Sequence, residues 1–195
     1  MTRILTALAL LLVLLAGCGG SSSPSSSSSK PVNPNTKEVS PNGDIPDNQA
    51  YVPYSPPGAD YQVKVPEGWA RTIKGGAVTF TDKLNSIRME ERSAQAAPSA
   101  AVARSAEIPR LKQSVKGFQS PKVSTVNRNS GPAVRITYLA DAQADPVTQR
   151  TGTNAVERYL FSRNGKQVVL TLSGPKGADN VDPWKLVTDS LSWSR

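Results

Sequence analysis

The sequence contains no histidine and only one cysteine, Cys18. The absence of histidine removes the commonest general base at neutral pH and the commonest zinc ligand. A single cysteine cannot form a disulfide within its own chain, so the folded part must be held together by its core. Hydrophobic residues make up 37% of the 195 residues and aromatic residues only 6%, low fractions that indicate that part of the chain does not pack. We therefore expect a modest domain that is not an enzyme and carries no cofactor.

The N-terminal 18 residues have the pattern of a secretory signal. Arg3 supplies a positive start, residues 4–15 are apolar apart from Thr6, and small residues follow. A basic head, a short apolar middle and small residues at the end are typical of a signal peptide, which we place at residues 1–17. An uncleaved membrane helix is the alternative, but the apolar run falls well short of the ~20 residues that span a bilayer.

The end of this segment, Leu15-Ala16-Gly17-Cys18, resembles the lipobox of bacterial lipoproteins. The resemblance implies cleavage between Gly17 and Cys18 and attachment of a diacylglycerol, with a palmitate, at Cys18. An exported protein normally uses its cysteines in pairs, whereas a lipid acceptor needs only one thiol. We therefore expect a lipid-anchored protein on the extracytoplasmic face of the cell membrane, where nucleic acid is not an expected partner.

Residues 18–60 have the composition of a disordered linker. Residues 21–29 are eight serines and one proline, and residues 19–60 hold eight of the sixteen prolines. Such a segment lacks the apolar side chains that would offset the entropy lost on ordering. A flexible chain of about 42 residues spans roughly 35 Å root-mean-square. The serines are either an unmodified spacer or a glycosylated stalk, and Tyr51 and Tyr54 are candidates to dock on the domain that follows.

Residues 61–195 have the periodicities of a folded domain. Tyr61, Val63 and Val65 alternate with polar residues, the pattern of a half-buried strand. We expect the first three strands to form an antiparallel meander, and Asn164-Gly165 to form a hairpin tip before the last long strand. The predicted strands are residues 61–65, 78–80, 87–92, 122–127, 133–140, 155–162 and 168–172, followed by an edge strand at 192–195.

Two helices complete the prediction. Residues 98–116 show helical spacing of apolar side chains, with a bend expected near residue 108 because Pro109 lies inside the pattern. A second helix is expected from an Asp182 N-cap to Leu191. The strand at 168–172 is apolar on both faces, so it must be covered on both sides. The predicted class is α+β, with a predominantly antiparallel sheet of about six to seven strands covered by helices.

Three short runs resemble the PsbP-like α/β/α sandwich family. They are YQVKVPEGW at residues 61–69, TFTD at 79–82 and LSW at 191–193, and the resemblance covers residues 61–195. Exported lipoproteins of high-GC Gram-positive bacteria carry domains similar to this one. The resemblance implies a binding or assembly module. The ion-retaining role of the photosynthetic members is not carried over, because this chain has no histidine and no evident metal cluster.

Other patterns that could carry chemistry have simpler structural explanations. Ser173 and Lys176 have the Ser-x-x-Lys spacing of penicillin-binding nucleophiles, but Gly174 and Pro175 between them indicate a loop rather than the rigid helix start that such a nucleophile needs. The paired carboxylates lack the spacing of a calcium loop, and Asp182 is already explained as a cap. These pairs are Asp141 with Asp145, and Asp179 with Asp182. We therefore predict no catalytic residues and no metal site.

Positive charge is concentrated in one region. The chain carries 23 basic and 15 acidic residues, and between Arg104 and Arg135 there are seven basic residues against one acid, Glu107. A basic face beside a membrane attracts anionic headgroups or wall polymers; a solvated face that only aids solubility is the alternative. The candidate basic surface consists of Arg104, Arg110, Lys112, Lys116 and Lys122.

Two classes of function remain open for a chain that we expect to be a monomer. The first is a noncatalytic binding or assembly module that presents its domain to an envelope protein or polymer. The second is a carrier or sensor of a small apolar or lipid ligand held between sheet and helix, with Trp69, Trp184 or Trp193 lining the pocket instead of filling the core. A closed interior filled by side chains would favour the first, and a deep apolar cavity would favour the second.

Overall fold

The computed structural model describes residues 43–93, 97–144 and 151–194, all within the compact unit Glu38–Arg195. The predicted signal, Cys18 and the linker up to residue 42 lie outside the described residues. Among the helices in the described ranges, none is long and apolar enough to cross a membrane.

The described residues form strands and short helices in a clear order. An N-terminal group of strands is followed by a helical segment, four long strands, a third helix and a terminal strand. The elements are β1 Tyr51–Tyr54, β2 Tyr61–Pro66, β3 Ala70–Lys74, β4 Ala77–Asp82, β5 Asn85–Ser93, α1 Ala100–Val102, a π-helical turn Ala103–Glu107, α2 Ile108–Ser114, β6 Gln119–Arg128, β7 Gly131–Asp141, β8 Thr153–Arg163, β9 Lys166–Pro175, α3 Val181–Asp189 and β10 Ser192–Trp193.

The strands form two antiparallel sheets. The larger has the order β3-β4-β5-β9-β8-β7-β6 and the smaller the order β1-β2-β10. The predicted α+β class with a predominantly antiparallel sheet is therefore confirmed. The predicted meander of the first three strands is wrong, because β2 pairs with β1 and β10 and not with β4. Alternation along a strand shows which of its faces is buried but not which strand lies beside it.

The folded part begins earlier than the linker prediction of residues 18–60 placed it. Strand β1 lies inside that range and pairs with β2, with Tyr51 opposite Pro66. Ile45 is buried, and the Tyr54 ring lies 5.0 Å from the Phe80 ring in an edge-on contact. The few apolar side chains scattered among the prolines are thus sufficient to bind residues 43–60 to the domain, and the expected docking of the two tyrosines is confirmed.

The large sheet is covered on both faces, as the apolar strand at 168–172 predicted. Val168, Leu170 and Leu172 of β9 belong to the core that includes Trp184 of α3. Val169 points to the opposite core, which includes Ala103 and Leu111. We call α1, the π-helical turn, α2 and the turn that follows it, up to residue 117, the helix layer, and the sheet face beneath it the helix-layer face. The other face, covered by α3 and the small sheet, is the α3 face.

The predicted bend in the first helix is a π-helical turn. The Ile108 N–H donates to the carbonyl of Ala103, five residues earlier, immediately before Pro109. Proline has no N–H for the carbonyl four residues earlier, and its ring clashes with that carbonyl in a regular helix. A wider turn at this point removes the clash.

Two further features of the structure differ from the sequence prediction. The last helix begins at Val181 with Asn180 at the N-cap position, so the predicted Asp182 cap is wrong, and Asp182 lies in the first turn. Negative charge is favourable there because of the helix dipole. Strand β3 was not predicted at all. All five of its residues are exposed at the edge of the sheet, so its sequence carries no burial pattern.

Candidate functional site

A groove lies on the α3 face, between the N-terminal end of α3 and one end of strands β6, β7 and β8. Lys122, Thr137 and Glu157 are direct cross-strand partners in one row across these strands. Leu139 and Ala155 are partners in the next row. Because partners in an antiparallel pair project from the same face, these five side chains form the strand side of the groove.

The opposite wall comes from α3 and the loop before it. Ala178, Val181 and Trp184 line this side, and Val181 is 71% exposed although it is apolar. The groove has a volume of about 400 Å³, which falls within the range of small-molecule sites. Its lining is mainly apolar, with Lys122 and Glu157 as its charged groups. The structure therefore has an open groove between sheet and helix, at the place where the alternative prediction put a ligand pocket.

Two buried asparagines hold this end of α3 in place. Asn180 accepts a hydrogen bond from the Ile45 N–H at 2.8 Å and donates to the carbonyl of Gly43 at 3.0 Å. It also donates to the side-chain oxygen of Asn85 at 3.0 Å, and Asn85 donates to Gly43 at 2.9 Å. Buried amides contribute stability only when their partners are in place. The segment from residue 43 is therefore joined to the domain at the rim of the groove.

We expect Gly174→Ala to destabilise this end of the domain. A Cβ at Gly174 would lie 2.4 Å from the side-chain oxygen of Asn85 and 2.7 Å from the side-chain nitrogen of Asn180. Overpacking of this kind costs about 2 kcal/mol, which chemical denaturation would measure. Gly152→Ala is the matched control, because its Cβ would meet only Ala142 at 3.8 Å. Equal losses in the two variants would contradict the role given to Gly174.

A hydrogen-bonded chain fixes Glu157 at one end of the groove. The Tyr159 hydroxyl donates to Glu157 at 2.6 Å, and Arg128 donates to Tyr159 at 3.0 Å and to Thr188 of α3 at 2.9 Å. Burial and then the hydrogen bond to Glu157 raise the pKa of Tyr159. Arg135 lies 3.6 Å from Glu157. The carboxylate is therefore held between fixed donors, and Tyr159 keeps its proton at neutral pH.

A second charged group lies on the helix-layer face. Arg158 and Glu107 are 6% and 8% exposed, and Arg158 donates to Glu90 at 3.0 Å. The Nε of Arg158 and the Oε2 of Glu107 have no hydrogen-bond partner within the described residues but lie 3.6 Å apart as an ion pair. We call the full set the arginine cluster; it consists of Arg88, Arg92, Arg110 and Arg158 with Glu90 and Glu107.

The cluster holds Glu90 in its charged form. Burial by itself would raise the pKa of Glu90, but the charges of Arg92 and Arg158 and the hydrogen bonds from Arg88 and Arg158 outweigh burial and leave the pKa below its ordinary value. A neighbouring cation stabilises the carboxylate more than the carboxylic acid. The two glutamates therefore neutralise part of the four guanidinium charges, and an excess of two positive charges remains.

The structure separates the predicted basic surface into two parts. Arg104, Arg110, Lys112 and Lys116 are exposed on the helix layer, whereas Lys122 lies in the groove on the α3 face. Arg110 pairs with Glu107 at 3.0 Å, and Arg104 donates to the carbonyl of Val123 at 3.4 Å. The predicted basic surface did not include three further arginines, which lie on strands before and after the basic segment: Arg88, Arg92 and Arg158. No sequence signal connects them, because strand pairing brings them together.

The remaining candidates for chemistry are dispersed. Ser173 lies on β9 and accepts a hydrogen bond from Asn154 at 3.0 Å, and Lys176 follows the end of that strand. Asp179 donates its backbone N–H to Asp44 at 2.9 Å. Asp145 lies outside the described residues, and within the described ranges no group of acidic or cysteine side chains could hold a metal ion.

The fold is an α+β sandwich of the PsbP-like kind. It is similar to the cyanobacterial PsbP, CyanoP, of Synechocystis sp. PCC 6803, with a TM-score of 0.50, 13% identity, and coverage of 80% of this chain and 98% of that one. This likeness shows the fold alone. No protein-family model and no curated protein matches the sequence.

Two other solved structures are more distantly similar. LpqN of Mycobacterium tuberculosis, described as involved in cell envelope biogenesis, gives a TM-score of 0.43 at 15% identity over 80% of this chain and 99% of that one. A protein of Bacteroides thetaiotaomicron gives 0.46 at 14% identity over 73% of this chain. The match covers 48% of the length of the Bacteroides protein.

Proposed function

We propose that this chain is a noncatalytic, lipid-tethered binding module of the cell envelope. Its anchor is Cys18, and its domain stands on the extracytoplasmic side of the cell membrane. The observation that carries the binding role is the groove of about 400 Å³ between α3 and the outer strands. The groove is open and is not the deep cavity that would favour an enclosed ligand, so it favours a ligand that lies along the surface between sheet and helix.

The lining of the groove favours an amphiphile that has an apolar body. Leu139, Ala155 and Val181 supply apolar contact, and the flat indole of Trp184 forms part of the wall. Apolar contact contributes about 25 cal/mol per Å² of surface removed from water. Lys122 and Glu157 provide the charged groups at the edge of this surface, where the polar end of an amphiphile stays hydrated. The groove therefore supports the carrier or sensor function, and an assembly function is compatible with the same site.

Trp184 provides a built-in reporter of ligand binding. We expect a brominated fatty acid to quench Trp184 fluorescence in the chain from residue 18 onward, purified with Cys18→Ser. Trp69→Phe with Trp193→Phe leaves Trp184 as the single emitter. Because bromine quenches only at close range, strong and saturable quenching in this variant is the expected result.

A matched variant and a blocked groove complete this test. Trp69→Phe with Trp184→Phe leaves Trp193, which packs on Tyr61 of the small sheet, and its fluorescence should not change. Ala155→Leu places extra volume on the groove floor and should weaken binding about tenfold. Equal quenching of both tryptophans, or unchanged affinity after Ala155→Leu, would contradict binding in the groove.

The exposed positive charges of the helix layer support a second binding surface, for anionic polymers or headgroups, in addition to the groove. Arg104, Lys112 and Lys116 are exposed on the side opposite the groove. Charges of this kind raise the local concentration of anionic headgroups or wall polymers and lose their effect as salt increases. Occupation of the groove and attraction to an anionic surface therefore use different faces of the domain.

A further inference from the structure

Two rows of small hydroxyl side chains cross the uncovered part of the helix-layer face. In the first row, Thr72 pairs with Thr79, Thr79 with Arg88, and Arg88 with Thr171. In the second row, Thr81 pairs with Ser86 and Ser86 with Ser173. We call these residues the hydroxyl strip; it consists of Thr72, Thr79, Thr81, Ser86, Thr171 and Ser173, with Arg88 among them.

Two contacts establish that the strip lies on the helix-layer face. Ser173 is the cross-strand partner of Val156, and Val156 belongs to the core beneath the helix layer. Thr171 accepts a hydrogen bond from Arg158 at 2.7 Å. That core is centred on β7, β8 and β9, whereas most of the strip lies on β3, β4 and β5. The strip residues are half-buried or exposed. This is unusual, because the side chains on a sheet face that is covered by helices are normally buried in the core.

The arginine cluster borders the strip and supplies its positive charge. The Arg88 side chain is 43% exposed, donates to Glu90 at 2.9 Å, and stands between Thr79 and Thr171 in the first row of the strip. Arg92 and Arg110 both donate to one oxygen of Glu107, at 3.1 and 3.0 Å. Arg88 and Arg92 also donate to the two oxygens of Glu90, so the three arginines are joined through two glutamates. Arg110, at 58% exposure, is the most exposed of the three.

We infer that the hydroxyl strip and the arginine cluster bind an acidic polysaccharide, a glycan chain that carries carboxylate groups. The arginine forks of the cluster already hold two carboxylates, and their excess charge favours more. The strip hydroxyls donate and accept hydrogen bonds, as sugar hydroxyls do. Neighbouring strands are about 4.8 Å apart, so the rows present hydroxyls at regular intervals to an extended chain.

The position of the charges favours a polymer over a bilayer as the occupant. Arg88 and Arg92 are 43% and 27% exposed and lie on the sheet, beside the helix layer. A flat lipid surface would first meet Lys112 and Lys116, which are exposed on the helix layer that covers the neighbouring part of the sheet. A single extended chain can follow the strip past these residues and reach the recessed guanidiniums. This inference does not depend on the groove, which lies on the opposite face of the sheet.

Calorimetric titration with oligogalacturonate tests the inference on the chain from residue 18 onward with Cys18→Ser. Arg88→Gln combined with Arg110→Gln should raise Kd about tenfold, because each removes a charge-assisted donor. Lys112→Gln combined with Lys116→Gln is the matched control, since it removes the same number of charges from the helix layer, and it should change Kd less than about twofold.

A separate double variant tests the hydroxyl strip, and phosphatidylglycerol vesicles test a membrane as the alternative occupant. Thr79→Val combined with Ser86→Ala removes two hydroxyls without changing charge and should raise Kd about fivefold. Circular dichroism checks that each variant keeps the wild-type fold and melting temperature. Equal losses in the arginine and lysine pairs would overturn the inference, and so would an unchanged Kd in the hydroxyl variant. Absence of binding to oligogalacturonate, or tighter binding to phosphatidylglycerol vesicles, would overturn it as well.

Discussion

Replacing Glu107 by leucine should lower the free energy of unfolding by about 3 kcal/mol, because it leaves a buried arginine without one of its two carboxylate partners. Glu107 is 8% exposed and contacts Arg92, Arg110 and Arg158. Arg158, 6% exposed, would keep only Glu90. Urea denaturation followed by circular dichroism measures this change, and a fall of about 10 °C in Tm should accompany it.

The double variant Glu107→Leu with Arg158→Met separates loss of charge balance from loss of packing. It replaces both buried charges with apolar groups of similar length, and such replacements are often neutral. We therefore expect the double variant to recover most of the stability lost in the single one. Arg110→Ala removes an exposed partner of the same glutamate and should cost less than about 1 kcal/mol. A double variant less stable than Glu107→Leu would contradict this description of the cluster.

Replacing Cys18 by alanine should move the protein almost completely out of the membrane fraction, or leave its signal uncleaved. Two acyl chains of a diacylglycerol bury many methylene groups in the bilayer, each contributing about 0.8 kcal/mol. The variant has no thiol to accept them. Fractionation of whole cells followed by intact mass measurement of each fraction tests both outcomes.

Ser23→Ala is the matched control for the anchor, because it lies in the same polar segment and leaves the thiol in place. It should partition with the membrane as the wild-type protein does. Normal cleavage combined with unchanged membrane partitioning of Cys18→Ala would contradict the anchor. A free, unmodified thiol on wild-type protein recovered from the medium would contradict it as well. Neither result would contradict the binding proposals for the groove and the hydroxyl strip, because both can be tested on protein that carries no lipid.

Local patterns in the sequence were sufficient to predict most of the elements. The alternation in residues 133–140 and the apolar run at 168–172 predicted β7 and β9, because half-buried and fully buried strands leave different patterns. Pro109 predicted the interruption of the helix. Strand β3 escaped prediction because all of its residues are exposed, and an exposed edge strand has no apolar face to reveal its period.

The sites could be predicted only in part. Lys122 and Arg110 were predicted to share one basic surface because they belong to the same basic segment of the sequence. The structure places them on opposite faces of the sheet. Trp184 was one of three tryptophans proposed to line a pocket, and it alone does so in the groove described above. Arg88 and Arg158 are 70 residues apart in sequence and meet at Glu90. Contacts of this kind depend on strand order, which periodicity does not specify.

By itself, the sequence determined the α+β class, the two-sided burial of the last long strand and the absence of imidazole chemistry, because each follows from residue type and local spacing. The tertiary structure decided that β2 leaves the main sheet, that residues 43–60 belong to the domain, and that a groove lies between the start of α3 and one end of β6, β7 and β8. Only the folded chain fixes these features, because each depends on pairing between segments that are distant in sequence.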